Sequence, residues 1–120
     1  MTKRKEIYKC NVCGNIVEIL HKGEGELICC KKPMILMKEI TKEIDKTEKH
    51  KPIIKDNIVK VGSIEHPMTP EHYIEWIEAT SESGQICKKF LNPNENPEVN
   101  FEFKVKSARS YCNLHLLWKN

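Results

Sequence analysis

Four cysteines packed into 21 positions, "CNVCGNIVEILHKGEGELICC", constrain this chain more than any other feature. Cys10 and Cys13 form a C-x2-C pair, and Cys29 and Cys30 follow after a spacer of 15 residues. That spacing places two thiolate pairs on two knuckle-like turns, with Gly14, Gly23 and Gly25 offering permissive backbone. A segment this short buries little apolar surface, so a tetrahedral metal would stabilise it directly. Zinc and iron both suit four thiolates, and spacing does not choose between them. The vicinal Cys29-Cys30 pair imposes a strained chelate, which predicts a distorted tetrahedron.

The rest of the composition narrows the setting of those thiols. No apolar run approaches the ~20 residues of a membrane span, and the start "MTKRKEIYKC" lacks the apolar stretch of a secretory signal. The chain therefore reads as a soluble, cytoplasmic protein with no membrane partner. In a reducing compartment six cysteines point to metal rather than to a disulfide framework. A net charge of +3 without a dense Lys/Arg block, and an aromatic content of 7%, argue against a nucleic-acid partner.

Beyond the first 37 residues the pattern changes. "KEITKEIDKTEKHK" is polar and Lys/Glu-rich, which marks a linker running into an exposed loop, and divides the chain into a domain at 1–37 and another at 38–120. "IIKDNIVKVGS" reads as a hairpin turning at Asp56-Asn57. "EVNFEFKVKS" reads as one strand that buries Val99, Phe101, Phe103 and Val105. "MTPEHYIEWIEATSESG" fits a short turn followed by a strand, since its neighbours are all β in character. The expected fold class is mainly β.

A second group of donors lies in three separate stretches, "EKHKP", "EHPMTPEHY" and "YCNLH": His50, His66, His72, Cys112 and His115. His50 lies two residues before Pro52 and His66 directly precedes Pro67, which biases both toward extended turns rather than helix. Pro, Met and aromatic neighbours suggest a site with an apolar wall. His21, in "LHKGEG", has no such setting and reads as a surface residue. Four imidazoles and a thiolate make five donors, one more than a closed zinc site takes. Iron accepts five or six, and a thiolate donor with one vacant position suits a redox or small-molecule site.

These motifs carry a family resemblance. "YKCNVCGNIVEIL", "GEGELICCKKPM", "EKHKP", "EHPM", "HYIEWIE" and "YCNLH" stand in the order found in desulfoferrodoxins, the two-iron superoxide reductases, over essentially residues 7 to 119. The first unit resembles desulforedoxin. The resemblance implies that Cys10, Cys13, Cys29 and Cys30 hold one iron in a rubredoxin-like centre. It implies that His50, His66, His72 and His115 are equatorial ligands of a catalytic iron, with Cys112 axial, in an immunoglobulin-like β-sandwich.

By the same resemblance Glu48 occupies the vacant position when the site is oxidised, and Lys49 attracts superoxide and helps its protonation. Hydrogen peroxide is the expected product, rubredoxin or a similar carrier the electron donor, and a homodimer the expected assembly. A non-enzymatic iron electron carrier or redox sensor is the alternative class. The chain departs from the family pattern at Lys51, where an apolar residue is usual, and at Lys31, where a glycine commonly follows the vicinal cysteines. Cys87, in "GQICKKF", matches no family ligand and reads as a free thiol.

Overall fold

The computed structural model describes all 120 residues, which form two compact units, Met1–Lys38 and Glu39–Asn120. The boundary falls one residue later than the composition break suggested. The first unit contains β1 (Ile7–Lys9), β2 (Ile16–Glu18), β3 (Ile28–Cys29), β4 (Lys32–Pro33) and β5 (Ile35–Leu36). β2, β1 and β5 make an antiparallel sheet, while β3 and β4 form a separate hairpin. Its buried apolar residues are only Ile7, Cys10, Ile19 and Met37. A core that small leaves much of the stabilisation to whatever the cysteines bind.

The second unit begins with a one-turn helix, α1 (Thr47–His50), followed by β6 (Pro52–Lys55), β7 (Ile58–Val61), β8 (Ile74–Ser81), β9 (Ile86–Phe90), β10 (Glu98–Asn100), β11 (Val105–Cys112) and β12 (Leu116–Lys119). Two antiparallel sheets result, ordered β10-β7-β6 and β12-β11-β8-β9. Val59, Val61, Ile74, Ile77, Ala79, Phe101, Val105, Ala108 and Cys112 form the core of this immunoglobulin-like sandwich. Alternation along the strands supplies it: Val59 and Val61 of β7 point inward, as do Ile77 and Ala79 of β8, with Ile74 kept on the same face by a register shift opposite Tyr111–Cys112. No helix is long and apolar enough to cross a membrane.

The other face of the larger sheet also buries charge. Arg109 donates to both carboxylate oxygens of Glu78, at 2.5 and 3.1 Å, and Lys88 reaches the same carboxylate at 3.3 Å. Glu39 adds a further contact to Arg109 at 3.2 Å. Pairing on this scale is what allows Glu78 and Arg109 to be buried at all.

Two sequence expectations need correction. "EVNFEFKVKS" keeps its alternating burial but is two strands, since the chain changes sheets between Asn100 and Val105. There the Phe101 and Val105 amides donate to the Asn57 and Asp56 carbonyls at 2.7 and 2.8 Å, in place of a ladder partner. The exposed loop expected up to Lys51 instead ends in α1, and His50 is helical and buried. The constraint from Pro52 acts on Lys51, the residue directly before it, which takes extended backbone (φ −71°, ψ 123°) and stops the helix.

Candidate metal centres

In the first unit the knuckle after β1 is closed by the Gly14 amide donating to the Cys10 carbonyl at 2.9 Å, with Gly14 at φ 85°. The second pair of thiols sits on the β3–β4 hairpin. Cys29 pairs with Lys32 across the strands, so Cys30 and Lys31 are the two turn residues, at φ 53° and 64°. Two consecutive left-handed residues are the type I′ requirement of a two-residue hairpin. The left-handed backbone of this segment thus falls on Cys30 and Lys31, and Gly23 and Gly25 need no positive φ.

The four sulfur atoms lie within 4.8 Å of one another, with Cys13 Sγ 3.6 Å from Cys29 Sγ. Backbone donors from Cys13 and Val12 lower the Cys10 pKa to about 6, whereas sharing a proton with Cys13 and Cys10 pushes Cys29 up to about 12. Four sulfur atoms this close, one of which ionises readily, can together hold a single tetrahedral cation.

In the second unit the turn after β7, the Thr69–His72 turn, α1 and the β11–β12 hairpin bring four imidazoles together. Neighbouring ring centroids are 4.6 Å apart for His50–His66, His66–His72 and His50–His115, and 5.1 Å for His72–His115. His50 and His72 are 6.3 Å apart, close to the diagonal of a square with those edges. The four rings therefore stand around a common centre, each steeply inclined to the next.

Cys112 lies against this square. Its sulfur and one nitrogen each of His50, His66 and His72 lie within 4.8 Å of one another, and His115 adds Nδ1 at 3.7 Å from Cys112 Sγ. Burial raises the Cys112 thiol above its ordinary pKa.

The ring nitrogens reveal what the site is prepared for. His50 Nδ1 donates to the Lys46 carbonyl at 2.8 Å and His66 Nδ1 to the Pro67 carbonyl at 2.6 Å. Each bond fixes the tautomer and leaves Nε2 as a bare lone pair. The Nε2 atoms of His50, His66 and His72 are buried without any hydrogen-bond partner. Burial is also the main cause that lowers the pKa of all three, with His66 at about 4. Three orphaned, neutral acceptors converging beside a buried sulfur constitute a metal site, since nothing else satisfies them. Both donor sets match the two iron sites of the family described below, one of four cysteines and one of four histidines and a cysteine.

Supporting residues that sequence reasoning missed lie around this ring. Asn113 brackets His72: its Oδ1 accepts from the Tyr73 amide and its Nδ2 donates to the Glu71 carbonyl, both at 2.9 Å. Trp118 stacks on His50, and Ser110 donates to the His50 carbonyl at 3.3 Å. Glu48 and Lys49, expected as catalytic residues, are exposed on α1 immediately before His50. The Lys49 charge contributes to lowering the His72 pKa, after burial and His115. His21 is exposed, and Cys87 is half-buried against the sandwich core and belongs to neither donor set.

Comparison with known proteins agrees with this architecture. Residues 2–37 match the family described as desulfoferrodoxin, N-terminal domain, and residues 42–120 match the desulfoferrodoxin family. The desulfoferrodoxin of Nitratidesulfovibrio vulgaris is 51% identical over 99% of this chain and 98% of its own length. A protein named superoxide reductase from Pyrococcus abyssi is 37% identical over 71% of this chain and 96% of its own. Among solved structures, the superoxide reductase from Treponema pallidum superposes with a TM-score of 0.76 at 28% identity, covering 100% of this chain and 99% of that one. With both donor sets assembled and both parts of the sequence matched, this chain belongs to the desulfoferrodoxin family.

Proposed function

We propose that this protein is a superoxide reductase, converting superoxide, one electron and two protons into one hydrogen peroxide. The observation that carries the reading is the square of His50, His66, His72 and His115, with three unpartnered Nε2 atoms, closed by the buried Cys112 sulfur. In this reading those five residues hold the catalytic iron, Cys10, Cys13, Cys29 and Cys30 hold the second, and the two units, Met1–Lys38 and Glu39–Asn120, divide the sites as two domains. Iron supplies the one-electron couple; the chain supplies everything else.

Cys112 contributes an anionic sulfur from within the hydrophobic core, where low dielectric strengthens its donation. Lys49, next to His50 and electrostatically coupled to His72, draws in the anionic substrate. A unit charge ~6 Å from the anion contributes on the order of 1 to 3 kcal/mol at an effective dielectric near 20. Glu48, one residue earlier, shields the oxidised site with its carboxylate. Electrons come from an external one-electron carrier such as rubredoxin, and the six free thiols suit the cytoplasm. A homodimer is part of the same proposal, and light scattering tests it.

The decisive measurement is stoichiometry. Pre-reduced protein exposed to pulse-generated superoxide should yield one peroxide per superoxide and no dioxygen. Equal amounts of peroxide and dioxygen would make the protein a dismutase and overturn the reading.

A further inference from the structure

Gly62, Ser63 and Ile64 leave β7 as a tight turn packed against the segment that carries Glu48 and Lys49. The Ile64 amide donates to the Glu48 carbonyl at 3.0 Å, and the Ser63 hydroxyl donates to the same oxygen at 3.3 Å. The Gly62 amide donates to the Lys51 carbonyl at 3.0 Å. The last carbonyls of a helix have no partner inside it, and this turn supplies donors to that end of α1.

The approach is close enough to exclude any side chain at position 62. Gly62 has φ 83°, and a Cβ there would stand 2.7 Å from the Lys49 carbonyl oxygen and 2.8 Å from that of Glu48, besides overlapping the Ile64 carbonyl. All three obstacles are backbone atoms, so no flexible chain end can yield. Gly84 offers an internal contrast: it is also left-handed, at φ 92°, but nothing lies within 4 Å of the Cβ position.

We propose that Gly62 is a positioning residue for superoxide reduction, its turn bracing the Glu48–Lys49 peptide so that both side chains are presented to the site. The proposal rests on the function given above, because it assigns Glu48 and Lys49 their work. Glu48 and Lys49 are exposed side chains on a backbone held from behind by the turn. A bulkier residue at 62 must push that peptide outward.

The test compares Gly62→Ala with Gly84→Ala in the iron-loaded protein, since both pay the left-handed cost and only the first crowds the peptide. Azide affinity of the oxidised protein is read optically, because azide competes with Glu48 for one position. Backbone exchange at residues 62–64 is followed by mass spectrometry. Gly62→Ala should bind azide about tenfold more tightly, as expected when a competing group no longer reaches. It should also exchange faster at 62–64 and show a weaker ionic-strength dependence of its second-order reaction with superoxide, since the Lys49 charge is displaced with the peptide. Gly84→Ala should match wild type in all three.

Should Gly62→Ala fail to fold, Ser63→Ala decides the matter, by a smaller azide shift in the same direction. Wild-type azide affinity in the folded Gly62→Ala protein, or in Ser63→Ala where that variant decides, overturns the role of the turn. If Glu48→Ala itself leaves azide affinity unchanged, the function assigned to Glu48 is what fails.

Discussion

The indole of Trp118 lies nearly parallel to the imidazole of His50, with centroids 5.1 Å apart and planes 20° from coplanar, and its Nε1 donates to the His115 carbonyl at 2.8 Å. One fully buried side chain thus fixes the ring plane of one ligand and the backbone of another. Trp118→Phe keeps the stacked surface and loses the hydrogen bond, which should cost about 1 kcal/mol. Trp118→Ala should cost ~3–5 kcal/mol and lower iron content at the histidine site. Denaturant unfolding with metal analysis measures both. Full iron occupancy in Trp118→Ala would show that the wall is dispensable.

Lys31 occupies a left-handed turn position that disfavours any side chain, so Lys31→Gly should stabilise the first unit. Relief of the Cβ clash outweighs the added freedom of the unfolded chain, for a net gain of roughly 0.5–1 kcal/mol. The denaturant midpoint for loss of the four-cysteine optical band should rise. Gly14→Ala, at φ 85°, should lower it.

Acid should weaken the metal-free second unit. Folded His66 titrates at about 4, with His50 and His72 lowered in the same direction, whereas unfolded histidine titrates near ~6.5. Between those values the unfolded chain binds more protons. Stability is therefore complete above pH ~6.5 and falls as the pH drops toward 4. Both tryptophans, Trp76 and Trp118, lie in this unit, so their fluorescence follows its unfolding alone. A loss on the order of 2–3 kcal/mol is expected between neutral pH and about 4. His66→Gln should remove a large part of that slope, and an unchanged slope would contradict the assignment.

The two donor sets lie in separate compact units, so each should fail alone. Cys112→Ser should abolish superoxide reduction and leave the four-cysteine absorption intact. Cys13→Ser should erase that absorption and spare the reaction of a pre-reduced catalytic site. Loss of both spectra from either change would mean that the sites depend on each other.

Both donor sets were legible in the sequence because metal chemistry fixes residue type and local spacing. The pairs Cys10-Cys13 and Cys112-His115 each lie on one turn, so neighbouring residues announce them. The backbone that carries them was less legible. α1 is held by the turn at Gly62–Ile64, 12 or more residues further along the chain, and no local propensity encodes that bond. The split at Phe101–Lys104 depends on carbonyls of the Asp56-Asn57 hairpin. Asn113 looked like filler between two ligands, since its partners Glu71 and Tyr73 lie some 40 residues away.

The partners that orient His50 and His66 are the peptide oxygens of Lys46 and Pro67. A side-chain acceptor can be lost by a single nucleotide change, whereas a peptide oxygen persists whatever residue bears it. The residue at position 46 can therefore change without altering which ring nitrogen of His50 is left free. Orientation of the two rings is in this way built into the backbone path and does not depend on the identity of a neighbouring side chain.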